Sequence, residues 1–268
     1  MSRQITMLVL AQMLWVPFFA SSAKALPVVN SASVTLHYDA STLGLANGDG
    51  VSSWTAATGP AATPETADVT PTFETNWSPT GLSGVVFDGV DDRLIIGGGG
   101  ATGISGDAIF AVFKMNGTGF PEQQQIIGGN GTGGGQKIMG VRAGQLFVVD
   151  QPAGVSFSDT EDLHVVSWVT GTNIRIDGSE PTGDTIRTIL FSDISMIGDE
   201  RESPPDNPGP NMTIGEIIVF EGVGGAMSAS DQIAVENYLS AKWVPEPSTL
   251  IILSMGSLFL LLRRRSRK

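Results

Sequence analysis

The sequence predicts an all-β fold of two packed antiparallel sheets, with one short helix near the C-terminal end. Apolar segments between residues 30 and 243 are short, and each is flanked by Gly, Pro, Asn or Asp. Turn-forming residues return about every 8–12 positions, which is the spacing of strands in a β-sandwich. The chain holds 34 Gly and 15 Pro in 268 residues, which fits a domain rich in turns. A helical period first appears after Ser228.

Thirteen short segments are predicted as strands. They are 34–38, 51–54, 84–87, 94–96, 109–115, 124–127, 137–141, 145–149, 164–169, 173–176, 186–191, 196–197 and 214–220.

One helix is predicted after the last of these strands. Ser228 is placed to cap it, and Asp231 follows three residues later, where a carboxylate favours a helix N-terminus. Ile233, Tyr238 and Leu239 are predicted to share its apolar side, and the helix is predicted to end near Trp243.

The N-terminal segment has the pattern of a secretory signal peptide. Arg3 precedes an apolar run over residues 5–20, and Ala23-Lys24-Ala25 forms an A-x-A cleavage site. Signal peptidase is therefore predicted to cut after Ala25 and remove residues 1–25. A buried N-terminal helix is the alternative, and Pro17 inside the run disfavours it.

The C-terminal segment, residues 244–268, predicts a short membrane anchor. After Pro245-Glu246-Pro247, the 13 residues 250–262 are apolar apart from two serines and a glycine, and a basic tail follows over 263–268. At about 1.5 Å per residue the run spans about 20 Å, less than the roughly 30 Å of a bilayer core. The basic tail is predicted to stay cytoplasmic, with the body beyond the inner membrane. Such a weak transmembrane helix predicts transient anchoring.

The order of Pro-Glu-Pro, apolar helix and basic cluster resembles the PEP-CTERM sorting signal of Gram-negative bacteria. Pro245, Glu246 and Pro247 match the motif for which that family is named. The resemblance implies processing by an exosortase, a membrane-embedded protease of the transpeptidase type. It also implies later release to, or attachment at, the cell surface. An ordinary C-terminal membrane anchor is the alternative.

Three patterns in the body carry a second resemblance. They are a strand, acidic turn and strand over 85–94, a strand entering an Asp-Gly turn over 173–178, and a strand over 215–220 followed by the predicted helix. In this order they are similar to the LamG-like, or concanavalin A-like, jelly-roll domain, across the predicted domain 30–243. The resemblance implies two curved antiparallel sheets. It does not imply one function, because lectins, glucanases and adhesion modules share this fold.

Charge and composition exclude several classes of function. Residues 26–244 hold 8 basic and 26 acidic residues, a formal charge of −18, which repels nucleic acid and attracts divalent cations. The absence of cysteine excludes disulfides, thiolate metal sites and cysteine nucleophiles. Two glycine-rich segments, 98–103 and 129–134, have the spacing of a dinucleotide loop, but no helix follows either one. They are predicted to be loops.

No catalytic motif is present. Glucanases of this fold place paired carboxylates on one strand face as E-x-D-x-x-E, and neither this pattern nor G-x-S-x-G occurs in the sequence. The protein is therefore predicted not to be an enzyme. A carboxylate pair brought together only by folding is the alternative.

Two binding sites are candidates. Asp88, Asp91 and Asp92 crowd one turn with hard oxygen atoms, which predicts a Ca²⁺ site; the alternative is that they shape the turn through bonds to the backbone. Trp77 has polar neighbours and lies beside a turn, which makes it the candidate for stacking on a glycan; the alternative is that it anchors the loop.

These observations predict an exported cell-surface or extracellular-matrix protein that acts by adhesion or glycan contact. Its predicted partners are signal peptidase, an exosortase, and surface polysaccharide or matrix components. Nucleic acid is excluded. A calcium-assisted lectin and a divergent glycoside hydrolase are the alternatives. Because Trp243 lies two positions before Pro245, binding is predicted at the loops farthest from the C-terminus.

Overall fold

The computed structural model describes residues 25–98, 102–117, 123–131, 134–142, 144–148, 151–156, 162–172, 174–180, 191, 193–199, 209–222 and 226–244. Within these ranges the fold has fourteen strands and one α-helix. In chain order they are β1 (Ala32–Asp39), β2 (Ala62–Pro64), β3 (Thr72–Glu74), β4 (Gly84–Asp88), β5 (Leu94–Ile96), β6 (Ala108–Met115), β7 (Gln123–Gly131), β8 (Gly134–Arg142), β9 (Gln145–Val148), β10 (Gln151–Ser156), β11 (His164–Val169), β12 (Arg175–Ile176), β13 (Ile194–Ile197), β14 (Asn211–Gly222) and α1 (Ala229–Trp243). Two short 3₁₀ turns cover Ala40–Thr42 and Ala67–Val69.

The strands form two seven-stranded antiparallel sheets. The first sheet has the order β12-β11-β6-β14-β4-β3, and β1 also pairs with β14. The long strand β14 lies against β6 along one edge, and its other edge is shared by β4 at its start and β1 towards its end. The second sheet has the order β10-β9-β8-β7-β13-β5-β2. The prediction of an all-β two-sheet fold is confirmed.

Two apolar clusters hold these layers together. The larger one lies between the sheets and takes alternate residues of β6, among them Ile109 and Phe113. The smaller one takes the intervening residues Phe110 and Val112 and packs them beneath α1. Strand β6 is therefore buried on both faces, which explains its continuous apolar sequence. The molecule is a sandwich with a helix covering the outer face of the first sheet.

A β-bulge at Gly215 sets the geometry of the outer face. The register between β14 and β6 shifts by one residue between Ile214 and Glu216, which leaves Gly215 as the extra residue. A Cβ at Gly215 would lie 2.9 Å from ring atoms of both Trp77 and Trp243. Glycine is needed here because the two indoles lie directly over the backbone. The bulge also directs the Glu216 side chain towards the helix.

Helix α1 begins and ends as predicted. The Ser228 hydroxyl accepts a hydrogen bond from the Asp231 amide at 3.2 Å, which satisfies a free N–H of the first turn. Tyr238 and Leu239 are buried as predicted, but Ile233 is 46% exposed, so its predicted place on the apolar side is wrong. Val235 takes that place, because its spacing of three and four residues from Tyr238 and Leu239 puts it on the same face.

The strand predictions were accurate where nearly all residues of a segment are apolar. Strands 94–96 and 164–169 were predicted with their observed bounds, and most others to within a few residues. The strand predicted over 51–54 is wrong, because the only β-pairing within that segment is an isolated bridge between Trp54 and Ala62. Three strands were missed: 62–64, 72–74 and 151–156. Most of the predicted strand 186–191 lies outside the described residues.

The prediction of a loop over the second glycine-rich segment, 129–134, is also wrong. Gly129, Gly131 and Gly134 lie in the paired strands β7 and β8, not in a loop. Their backbone groups pair across the hairpin, so the lack of side chains at these glycines does not prevent strand formation.

No helix among the described residues is both long and apolar enough to cross a bilayer. The predicted transmembrane helix 250–262 lies outside the described residues.

Candidate functional site

The folded domain continues up to the sorting segment. Trp243, the last residue of α1, is fully buried, and the Val244 amide donates to the Ser240 carbonyl at 2.9 Å. The Thr80 hydroxyl donates to the carbonyl of Lys242 at 3.0 Å and so satisfies one of the free carbonyls at the helix end. The residues predicted for sorting and cleavage, Pro245, Glu246, Pro247 and Ala23, lie outside the described residues. Ala25 is the first described residue and is exposed.

A buried carboxylate, Glu216, holds this helix end to the sheet. Its Oε1 accepts hydrogen bonds from His37 Nε2 at 2.7 Å and from the Tyr238 hydroxyl at 3.1 Å. Its Oε2 accepts from Lys242 Nζ at 2.7 Å and from Trp243 Nε1 at 2.6 Å. One side chain thus joins β1, β14 and the last turns of α1. We call these five residues and Asp39 the Glu216 cluster.

Charge pairing explains how this carboxylate stays ionised. Burial by itself would raise the pKa of Glu216, but the His37 hydrogen bond and the Lys242 charge hold that pKa below its usual range. Lys242 Nζ also bonds Asp39 Oδ2 at 2.5 Å. His37, Asp39 and Glu216 have the donor types of a metal site, but the ammonium of Lys242 already lies between the two carboxylates. The Glu216 cluster is therefore structural.

The acidic turn between β4 and β5 brings its three carboxylates together. One carboxylate oxygen of each of Asp88, Asp91 and Asp92 lies within 4.8 Å of the others. Burial raises the pKa of Asp92 to about 6, and the charges of Asp88 and Asp91 add to that rise. Hard carboxylate oxygens suit Ca²⁺. The Ca²⁺ site stays a prediction.

Backbone bonds in the same turn match the alternative role. Asp88 Oδ1 accepts from the Val90 amide at 2.8 Å, and Asp92 Oδ2 accepts from the Asp88 amide at 2.9 Å. These bonds fix the turn. Arg93, the cation next in the chain, pairs with Glu65 at 2.7 Å. Turn shaping and cation binding are compatible, because each carboxylate keeps further lone pairs.

Trp77 lies beside the end of α1. Its ring packs edge-on against Trp243 with centroids 5.8 Å apart, and it also covers Gly84. Its Nε1 is buried and has no hydrogen-bond partner among the described residues. This packing favours the anchoring role. Stacking of Trp77 on a glycan stays a prediction, and it would place the ligand next to the sorting segment.

A recess of about 280 Å³ opens at the opposite end of α1. The residues of its wall include Ser105, Asp107, Thr170, Phe191, Glu221 and Gly222. They come together because the start of β6 lies beside the ends of its two neighbours, β11 and β14, in the first sheet. Burial raises the pKa of Asp107, and the charge of Glu221 raises it further. Here two carboxylates far apart in sequence meet in one concavity.

The sequence contained a signal for the Glu216 cluster but little signal for the recess. Glu216 is a lone acidic residue within an apolar strand, a pattern typical of a carboxylate that is buried and paired. Lys242 lies next to Trp243 near the end of the predicted helix. Asp107 and Glu221 each border an apolar strand, which is common for acidic residues. Only the pairing of β6 with β14 brings them together.

Comparison with known proteins identifies the C-terminal segment. The family model of the PEP-CTERM protein-sorting motif matches residues 244–265. This match confirms the predicted motif and shows a secreted protein with a C-terminal sorting signal. The matched segment begins directly after Trp243. No curated protein sequence matches the chain.

Solved structures show the fold. Trypanosoma rangeli sialidase in complex with sialic acid is similar over 81% of this chain and 34% of its own, with a TM-score of 0.53 and 14% identity. The same sialidase with the inhibitor DANA is similar over 85% and 37%, with a TM-score of 0.51 and 14% identity. The chain thus spans about a third of these enzymes. Domain 4 of an extracellular arabinanase from Geobacillus stearothermophilus, with arabinotriose, covers 78% of this chain and 99% of its own at 12% identity, with a TM-score of 0.37.

The matched sialidase domains are β-sandwiches, in agreement with the two-sheet fold. At such low identity they show the fold alone. The LamG-like or concanavalin A-like assignment and its jelly-roll connectivity stay predictions.

Proposed function

We propose that the protein is an exosortase-processed module of the cell surface or extracellular matrix, and that it acts by contact with glycans rather than by catalysis. The observation that carries this proposal is the position of the sorting motif. It begins at residue 244, directly after a helix that is locked into the sandwich by the Glu216 cluster. The sorting motif therefore follows the proposed binding domain directly, with no linker between them.

The proposed route has four steps. Signal peptidase removes residues 1–25, and the short apolar helix 250–262 holds the chain in the inner membrane with its basic tail in the cytoplasm. An exosortase then cuts near Pro245–Pro247, and the sandwich reaches the cell surface or the matrix. Surface polysaccharide is the proposed partner, because the acidic body disfavours nucleic acid and anionic membranes.

Intact-mass spectrometry of the native protein tests the processing step. We expect the mass of the surface fraction to lack residues 263–268. Replacement of Pro245, Glu246 and Pro247 by Ala is expected to leave the full tail in the membrane fraction. Ser248→Ala is the matched control and should be processed normally. An intact tail on most of the wild-type mature protein would overturn this step.

Glycan contact without catalysis is tested on polysaccharides extracted from the same cell surface. We expect the purified protein to be retained on immobilised polysaccharide and to release no reducing ends from it. Retention with steady release of reducing ends would favour the divergent hydrolase. Absence of retention would overturn glycan contact.

A calcium-assisted lectin is the second candidate, and the geometry of the acidic turn favours it. Three carboxylates within 4.8 Å of one another supply oxygen ligands of the kind that Ca²⁺ takes. Glycan retention that is lost with a chelator and restored by Ca²⁺, but not in an Asp91→Asn variant, would select it. Asp91 is the variant of choice because no turn-shaping hydrogen bond of its side chain is seen among the described residues.

A further inference from the structure

The recess at the end of β14 has the chemistry of a sugar subsite. Its volume of about 280 Å³ lies just below the roughly 300–1,000 Å³ typical of pockets for drug-sized ligands, which suits one sugar-sized unit. Its wall combines carboxylates, hydroxyl groups and one aromatic ring. Protein sites recognise sugars through such groups, since a sugar ring presents hydroxyls at its edge and an apolar face.

Asp107 is the most informative group of this wall. Its residue is only 6% exposed, yet its carboxylate meets backbone N–H groups only, that of Gly222 at 3.1 Å from both oxygens and its own. A carboxylate has about four acceptor positions. Among the described residues, no side chain donates to Asp107, although it is nearly removed from water. Buried acceptors of this kind require donors.

Glu221 and two hydroxyl groups complete the polar wall. Glu221 is exposed at the rim, where Ser105 donates a long hydrogen bond of 3.4 Å to its Oε1. Ser105 and Thr170 each bring a hydroxyl that donates as well as accepts. Phe191 packs against Trp168 with centroids 5.8 Å apart and is only 1% exposed, so its fixed ring underlies the recess and offers little surface to a ligand. The recess is thus rich in acceptors and has a rigid apolar base.

We propose that this recess binds one neutral sugar or amino-sugar unit of a surface polysaccharide and rejects acidic sugars. The proposal deepens, and rests on, the glycan contact proposed above. Adjacent hydroxyls of the sugar donate to Asp107 and Glu221, and an amino group at the same position donates more strongly because it carries charge. A carboxylate-bearing sugar is repelled by the same two groups and by the net charge of −18 on residues 26–244.

The position of the recess agrees with this role. Helix α1 begins next to the recess, where Ala226 contributes to the wall, and ends at Trp243 beside the sorting motif. Fifteen helical residues span about 22 Å. The ligand would therefore bind at the far end of α1 from the membrane-anchored segment, as the close attachment of the domain requires.

The test uses the full-length chain in micelles of a sugar-free detergent, with saturation-transfer NMR on individual sugars. The neutral probe is methyl α-D-glucopyranoside, the amino probe is D-glucosamine, and the acidic probes are D-galacturonic acid and N-acetylneuraminic acid. We expect transfer to the neutral and amino probes only. In Glu221→Gln and in Asp107→Asn plus Glu221→Gln, binding of D-glucosamine should weaken about tenfold or more. Glu74→Gln, an exposed carboxylate at the end of β3, is the matched control and should bind as the wild type does.

The outcomes separate this inference from the proposed function. Unchanged binding in both variants, stronger binding of the acidic probes, or no binding of any probe would each overturn the recess assignment. Retention on the native polysaccharide would in those cases still support glycan contact elsewhere. Release of free sugar from the methyl glycoside would overturn the non-catalytic part of the proposed function, and it would support the recess only if Glu221→Gln abolished it. Glu221 is exposed, so its variant tests the site without disturbing the core.

Discussion

Glu216 and Asp107 are both nearly removed from water and lie on or beside the same sheet, yet their surroundings differ. Glu216 receives hydrogen bonds from four side chains, and its pKa is lowered. Asp107 meets no side-chain donor, only the backbone N–H groups of Gly222 and of its own residue, and its pKa is raised. Depth of burial is therefore a poor guide to the role of a carboxylate. The number of donors it meets distinguishes a group that holds the fold from a group still able to bind a ligand.

The largest expected effect is that of Glu216→Gln. The amide has no negative charge to pair with Lys242. Its NH₂ group would also face donors that now bond to the carboxylate. We expect a loss of about 3–5 kcal/mol in the free energy of unfolding, the range for breaking a buried ion pair. Urea unfolding of the purified exported protein, followed by tryptophan fluorescence, measures it. Glu74→Gln should change the midpoint little, and a loss below about 1 kcal/mol for Glu216→Gln would show that the cluster is not structural.

Lys242→Met should cost less, about 2 kcal/mol, because each carboxylate keeps other donors. Glu216 retains His37, Tyr238 and Trp243, and Asp39 retains both the amide and the hydroxyl of Ser41. The same urea titration gives the value. An effect equal to that of Glu216→Gln would indicate that the ammonium, not the carboxylate, organises the cluster.

Lowering the pH should change the stability contributions of Asp92 and Glu216 in opposite directions. Asp92 has its pKa raised to about 6, so the folded state takes up its proton first and stability rises as pH falls from above 6 towards about 4. Glu216 has its pKa lowered, so its contribution is present above about 4.3 and is lost as pH falls through the folded value. We expect these two contributions together to be most favourable at about pH 4–4.5. Asp92→Asn should add about 1.5 kcal/mol at pH 7.5 and almost nothing at pH 4, a difference that thermal unfolding at the two pH values resolves.

Asp107→Asn should have the opposite sign to Glu216→Gln. Because burial disfavours the Asp107 charge and only two backbone N–H groups compensate it, the neutral amide should stabilise the domain by about 1 kcal/mol at pH 7.5. Paired thermal unfolding of the two isosteric variants checks the contrast directly. Destabilisation by Asp107→Asn as large as that by Glu216→Gln would remove the distinction between the two carboxylates.

The smallest expected effect is at the helix end. Thr80→Val removes the hydroxyl that donates to the Lys242 carbonyl, and should cost about 0.5–1 kcal/mol. Amide hydrogen exchange should quicken in the last turn of α1 before it does elsewhere. Faster exchange spread evenly over the domain would contradict a local role for this bond.

The fold was largely predictable from the sequence, whereas the candidate site was not. Largely apolar runs such as 109–115 and 164–169 identified strands correctly, because burial on both faces leaves a clear pattern. The short edge strands 62–64 and 72–74 were missed because polar residues or proline interrupt them, whereas the equally short strand 94–96 is Leu-Ile-Ile. The caps at Ser228 and Asp231 depend on neighbours in sequence and were predicted. The meeting of Asp107 with Glu221 depends on sheet pairing across more than one hundred residues, which no local pattern encodes.

The pairing of β1 with β14 bears on the order of folding. His37 and Asp39, close to the start of the domain, find Glu216 and Lys242 only near its end, and Asp39 and Lys242 are 203 positions apart. A contact of such high sequence separation forms late, because the intervening chain must first be ordered. During synthesis and export, β1 can pair with β14 only after almost the whole domain has emerged. The sandwich can close only when residue 243 has arrived, directly before the sorting segment, so the end of folding and the arrival of the sorting signal fall at nearly the same moment.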